Sequence, residues 1–127
     1  MADRPPKQAT SRDVRRARDR EGRRAEWIAA VALRLRGYRI LARREKTPAG
    51  EIDIVAVRGR RLAFVEVKRR ATREACEAAV TANGRARVRR AAGIWLARNT
   101  RYQAHDVGFD LVFLIGWGWP RYIENGL

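Results

Sequence analysis

The sequence predicts an α/β fold in the order α-β-β-β-α-β-β. Two observations carry this. A helical repeat of apolar residues precedes three strand-like runs, and a second helical stretch separates these from a final pair. The two densest runs, residues 51–57 and 62–68, are apolar on both alternating faces, as expected of strands buried on both sides. A chain of 127 residues can build one such core rather than two.

The elements follow in order. Residues 1–22 hold two prolines, seven basic and four acidic residues, and almost nothing to bury. They read as a disordered basic arm, helical near its end, ahead of a single domain over 23–127. Trp27, Ile28, Val31 and Leu35 recur at helical spacing with alanines between them, and Gly37 stops the helix. Residues 38–43 form a short strand, ended by Thr47-Pro48-Ala49-Gly50. Gly59 between the two dense runs signals a hairpin. Residues 74–98 read as a second helix with Val80, Val88, Ala91, Ala92 and Trp95 on one side. Asn83-Gly84 is its weak point, where it starts late or breaks. Residues 109–115 are an apolar strand, and Arg121, Tyr122 and Ile123 form a last short one after Pro120.

Charge narrows the function. Lys and Arg total 29 against 14 Asp and Glu, a net charge of +15. A domain this basic most often meets a polyanion: DNA, RNA or an anionic membrane surface. The single Cys76 excludes a disulfide scaffold and fits a reducing cytoplasm. One Cys and one His cannot form a zinc cluster. No apolar run approaches a membrane span, and the basic arm lacks the apolar face of a surface-lying helix, so no membrane partner is expected. A homodimer is left open.

The hairpin holds the chemistry. With Gly59-Arg60 as a two-residue loop, Val57 faces Leu62 and Val55 faces Phe64. Asp53 then opposes Glu66 and Glu51 opposes Lys68, all on one face. Opposed carboxylates repel unless a cation lies between them. A hard divalent ion, Mg²⁺ or Mn²⁺, suits Asp53 and Glu66 as ligands. Lys68 could orient the attacking water or neutralise a phosphate. The plainer alternative is a set of strand-end charges tied by a Glu51–Lys68 pair. Only three of the 29 basic residues are Lys, and one stands at 68.

Asp53, followed by Glu66-Val67-Lys68 on the next strand, resembles the Pro-Asp…(Asp/Glu)-x-Lys nucleases of the restriction-endonuclease-like fold. Further segments resemble the YraN-like family of small bacterial proteins. These are Arg24-Ala25-Glu26, Gly37-Tyr38-Arg39-Ile40-Leu41, Gly50-Glu51-Ile52-Asp53-Ile54-Val55-Ala56, Phe64-Val65-Glu66-Val67-Lys68-Arg69 and Phe109-Asp110-Leu111-Val112. The resemblance implies a mixed sheet flanked by helices, similar to archaeal Holliday-junction resolvases. It implies metal-binding carboxylates at Asp53 and Glu66, a catalytic Lys68, and a Glu26 reaching the metal or its water. The implied activity is metal-dependent endonucleolytic hydrolysis of DNA, branched or damaged DNA included. The alternative is a binding module that keeps the fold without cutting. Ile52 stands where the motif's name carries proline. The stretch Thr81-Ala82-Asn83-Gly84-Arg85 lacks the Lys or Gln that this family carries near the start of its second helix.

Between Ala78 and His105 there are six arginines and no acid. Arg85, Arg87, Arg89 and Arg90 are therefore the candidate phosphate contacts. Asp110 is expected to make a structural hydrogen bond and Cys76 to be packed. Trp117 and Trp119, beside Gly116 and Gly118, are expected to pack at the sheet edge, with stacking on unpaired bases as the alternative.

Overall fold

The computed structural model describes residues 8 and 10–127. Helix α1 runs from Ser11 to Leu35. The Thr10 hydroxyl accepts the Asp13 N–H at 3.1 Å, and the Asp13 carboxylate accepts the Thr10 N–H at 3.2 Å. This reciprocal cap satisfies two amide groups that otherwise lack partners at a helix start. The helical end expected of the arm over 1–22 is longer than the sequence suggests and continuous with α1. Residues 11–22 are helical, whereas 1–7 and 9 lie outside the described residues.

The apolar repeat that reveals α1 in the sequence is not the side it buries. Ala25, Glu26, Ala29, Ala30 and Leu33 are buried, while Trp27 is 56% and Leu35 76% exposed. Ala29 and Ala30 pack in one cluster with Ala56 and Ala63 of the sheet. Small side chains on both surfaces let the helix lie close, which lowers Glu26 toward the strands.

Strands β1 (Arg39–Thr47), β2 (Gly50–Arg58) and β3 (Arg61–Arg70) follow. The two-residue loop is as expected. Gly59 has φ +57°, and Val57 faces Leu62 and Val55 faces Phe64. The expected single helix over 74–98 is instead two, α2 (Arg73–Ala78) and α3 (Ala82–Arg98). The Thr81 hydroxyl accepts the Gly84 N–H at 3.0 Å and starts α3 afresh. Asn83-Gly84 therefore sits in the first turn rather than at the break. Strand β4 (Asp106–Ile115) lies parallel to β3, and β5 (Arg121–Ile123) closes the edge.

The result is a five-stranded mixed sheet in the order β1-β2-β3-β4-β5. Helix α1 covers one face, over Ile54, Ala56, Ala63, Val65 and Val112. On the other face Val88, Ala91, Ala92 and Trp95 of α3 pack on Val55, Val57, Leu62 and Phe64. Cys76 is fully buried, as expected. The antiparallel ladder between β2 and β3 ends at Ile54–Val65, although each strand continues paired to its outer neighbour. The two central strands therefore part like a fork, and the charged residues lie in its opening.

Candidate functional site

Asp53 stands where the fork opens. Its carboxylate accepts the Val67 N–H at 2.8 Å, taking the place of a ladder carbonyl. Strict alternation fails here. Ile54 belongs to the cluster under α1 and Ile52 to the cluster under α3, yet Asp53 also faces α1. Counted along the ladder, Arg44 on β1 falls opposite Asp53, and it carries φ +50°. A non-glycine residue rarely adopts that backbone. With alternation broken here, Asp53 turns toward α1 and not toward the face expected of it.

Direct opposition of Asp53 and Glu66 is thus replaced by two adjoining groups. On the α1 side, carboxylate oxygens of Glu26, Glu51 and Asp53 lie within 4.8 Å of one another. Glu26 and Asp53 line a cleft of about 230 Å³ together with Arg18, Arg69 and Arg70. On the α3 side, Glu66 pairs with Lys68 at 3.1 Å, and both lie beside Thr81, Arg85 and Arg87. Glu66 is outside the triplet, but its charge reaches Asp53 across the fork.

Electrostatics mark the junction. Burial, then the Glu66 charge, push the Asp53 carboxyl up to about 7; the Val67 N–H and Lys68 pull the other way. Burial also raises Glu26, against the pull of Arg44. The Arg44 Nε donates to one Glu26 oxygen at 3.0 Å and stands 2.9 Å from the other. That second oxygen, Oε2, is buried and receives no directed hydrogen bond among the described residues. Distance alone would count it as paired, but direction decides whether a hydrogen is shared. A buried carboxylate oxygen left this way can accept a cation. Three crowded carboxylates form an all-oxygen donor set, which suits a hard divalent ion.

The basic residues divide by role. Arg85 and Arg87 border the Glu66–Lys68 group, and the Arg87 stem packs on Gly50, where a Cβ would lie 2.9 Å from its Cδ. Arg89 donates to the Leu127 carbonyl at 3.1 Å and lies over the Phe109 ring, so part of its task is to hold the C-terminal segment. Arg90 is exposed. Asp110 is fully buried and structural, held by Arg61, Tyr122 and the Asn125 N–H.

The hairpin register places Glu51, Asp53, Glu66 and Lys68 together, and the family resemblance adds Glu26; the structure groups Glu51 with Asp53 and Glu26 instead of opposite Lys68. Arg44 has no signal in the sequence beyond being one arginine among many.

The model for the uncharacterised protein family UPF0102 matches residues 25–114. A UPF0102 protein of Mesorhizobium japonicum is 50% identical over 107 residues, covering 84% of this chain and 85% of its own. One from Chelativorans sp. is 46% identical over 117 residues, with 92% and 94% covered. One from Methylorubrum extorquens is 47% identical over 122 residues, with 96% and 94% covered. These matches span the helix, the fork and the strands that hold the carboxylates and Lys68, and the chain belongs to the UPF0102 family, the YraN-like proteins.

Proposed function

We propose that the protein is a divalent-metal-dependent nuclease that hydrolyses phosphodiester bonds in DNA. The observation that carries this reading is the cluster of the Glu26, Glu51 and Asp53 carboxylates, with Glu26 buried, beside a cleft that Arg18, Arg69 and Arg70 also line. Asp53 and Glu26, with Glu51 and Glu66 beside them, would hold Mg²⁺ or Mn²⁺. When bound, such an ion supplies Lewis-acid polarisation of a phosphate oxygen and acidifies bound water. The chain's own residues do the rest. Arg44 holds Glu26 in place through its Nε. Glu66 holds the Lys68 ammonium at 3.1 Å, where it can orient a water or meet the charge developing on phosphate. Arg69, Arg70, Arg85 and Arg87 flank the fork on both sides and would position the DNA backbone.

The test is cleavage of linear, single-stranded, flapped and four-way DNA with Mg²⁺ or Mn²⁺, read in single turnovers beside a binding titration. Asp53→Asn should abolish cleavage while binding persists or tightens, since a negative charge near the phosphates is lost. Lys68→Arg should lose at least ~100-fold in rate with affinity changed less than ~threefold, because a planar guanidinium cannot stand where an ammonium does. Wild-type rates from the Asp53 variant would refute the site. Tight binding without cleavage of any substrate would establish the non-catalytic module instead.

A further inference from the structure

We propose that the exposed aromatic groove along α1 is a stacking track for the unpaired bases of a DNA strand entering the cleft lined by Glu26 and Asp53. This rests on the nuclease reading and adds the strand state of the substrate. The groove is formed by Trp27, Val31 and Leu35 of α1 with Trp119 and Pro120 of the β4–β5 loop. Trp119 is 84% exposed, so edge packing, the default expectation for it, is not its role. Trp27 is 56% exposed on a helix that docks through its alanines instead. Large apolar side chains gathered outside the core mark a contact surface.

Charge identifies the occupant. Trp117, two residues before Trp119, lies under the guanidinium groups of Arg24 and Arg69, at 4.2 and 3.9 Å from its ring centre. Arg69 also donates to the Gly116 carbonyl at 2.9 Å and lines the cleft with Asp53 and Glu26. The loop thus connects the groove to the carboxylates through one fixed arginine. Arg20, Arg23 and Arg24 lie within ~10 Å of axial rise N-terminal to Trp27. Aromatic faces beside guanidinium groups match a nucleotide strand, the ring taking a base and the cation a phosphate. A duplex keeps its base faces stacked inside and offers nothing to these rings. A second copy of the chain fits less well. A stable interface needs ~800 Å² per partner, more than these few side chains supply, and it would bring two arginine-rich helices together.

The test reads binding without divalent metal, at one salt concentration, by fluorescence anisotropy. The probes are oligo-dT, an abasic strand with the same number of phosphates, and a blunt duplex. The wild type should prefer oligo-dT over the abasic strand about tenfold, the low end of what stacked bases contribute. Trp27→Ala with Trp119→Ala should erase that preference and leave duplex affinity within ~twofold, while Trp119→Phe should keep it. All substitutions are at exposed positions, and melting curves check their folding. No preference in the wild type, or equal losses on oligo-dT and duplex, would overturn the track. So would a sedimenting wild-type dimer that the double variant converts to monomer with DNA binding unchanged. Cleavage is not read, so the outcome separates from the Asp53 test: a nuclease without base preference loses only the track.

Discussion

Asp53 links stability to chemistry. Its carboxyl is pushed to about 7 by burial and by Glu66, from an ordinary value of 3.8. Between those two values the folded chain keeps a proton that the unfolded chain has released, so stability falls as pH rises. The contribution is full below about pH 4 and lost as pH passes through 7. Glu26, also raised by burial, acts in the same direction. In EDTA, the melting temperature should therefore drop between pH 5 and pH 8. Asp53→Asn should remove much of that drop, because the amide oxygen still accepts the Val67 N–H without carrying charge. Mg²⁺ or Mn²⁺ should raise the melting temperature more at pH 8 than at pH 5, by favouring the ionised site. A variant whose pH slope equals the wild type's would remove Asp53 as the cause. Asp53 and Lys68 were legible as residues from spacing and residue type. Arg44 was not, because its contribution depends on a positive φ and a ladder defect that no local pattern signals.

Among the elements, the hairpin was the most readable, because two-residue loops admit few geometries and Gly59 supplies the required φ. The helices were less so. Thr10 and Asp13 form a capping pattern that could have placed the start of α1, but the surrounding charges read as a tail. The stripe from Trp27 to Leu35 marks the helix but not its docking side, which is Ala29, Ala30 and Leu33 against Ala56 and Ala63. A separate element, the edge strand β5, hangs on one buried charge. Both Asp110 oxygens receive Arg61, at 2.6 and 2.8 Å, and Tyr122 and the Asn125 N–H add to them. Burial works against the Asp110 charge, but these donors win and hold it below its usual range. Asp110→Asn keeps the shape and leaves the Arg61 guanidinium without its charge partner. It should cost about 3 kcal/mol or more, seen as a lower urea midpoint with an unchanged slope. A change below about 0.5 kcal/mol would mean that the network is incidental to the fold.

Over the whole molecule, the fork explains why the site could be located from sequence but not assembled. Period-two alternation assumes an unbroken ladder, and it put Asp53 and Glu66 on one face. The ladder ends at Ile54–Val65, so the site straddles the sheet, with Asp53 toward α1 and Glu66 and Lys68 toward α3. DNA reaching both groups would meet basic residues on both sides, in a chain carrying +15 overall. A charge this large could also hold DNA diffusely, and salt separates the two cases. Each phosphate neutralised by a fixed cation releases counterions and adds ~0.9 to the slope of log K against log salt. Arg85, Arg87 and Arg90 are exposed on the first half of α3, and Arg85 and Arg87 lie beside Lys68. Arg89 is left out because it holds the Leu127 carbonyl, so replacing it would confuse stability with contact. Replacing the three by Ala should lower the slope by roughly two to three. Replacing Arg98, at the other end of the helix, and Arg101, just past it, removes two charges of the same sign and should leave the slope nearly unchanged. If both variants lower the slope in proportion to the charge removed, the field is diffuse, and the α3 surface is not where the backbone is held.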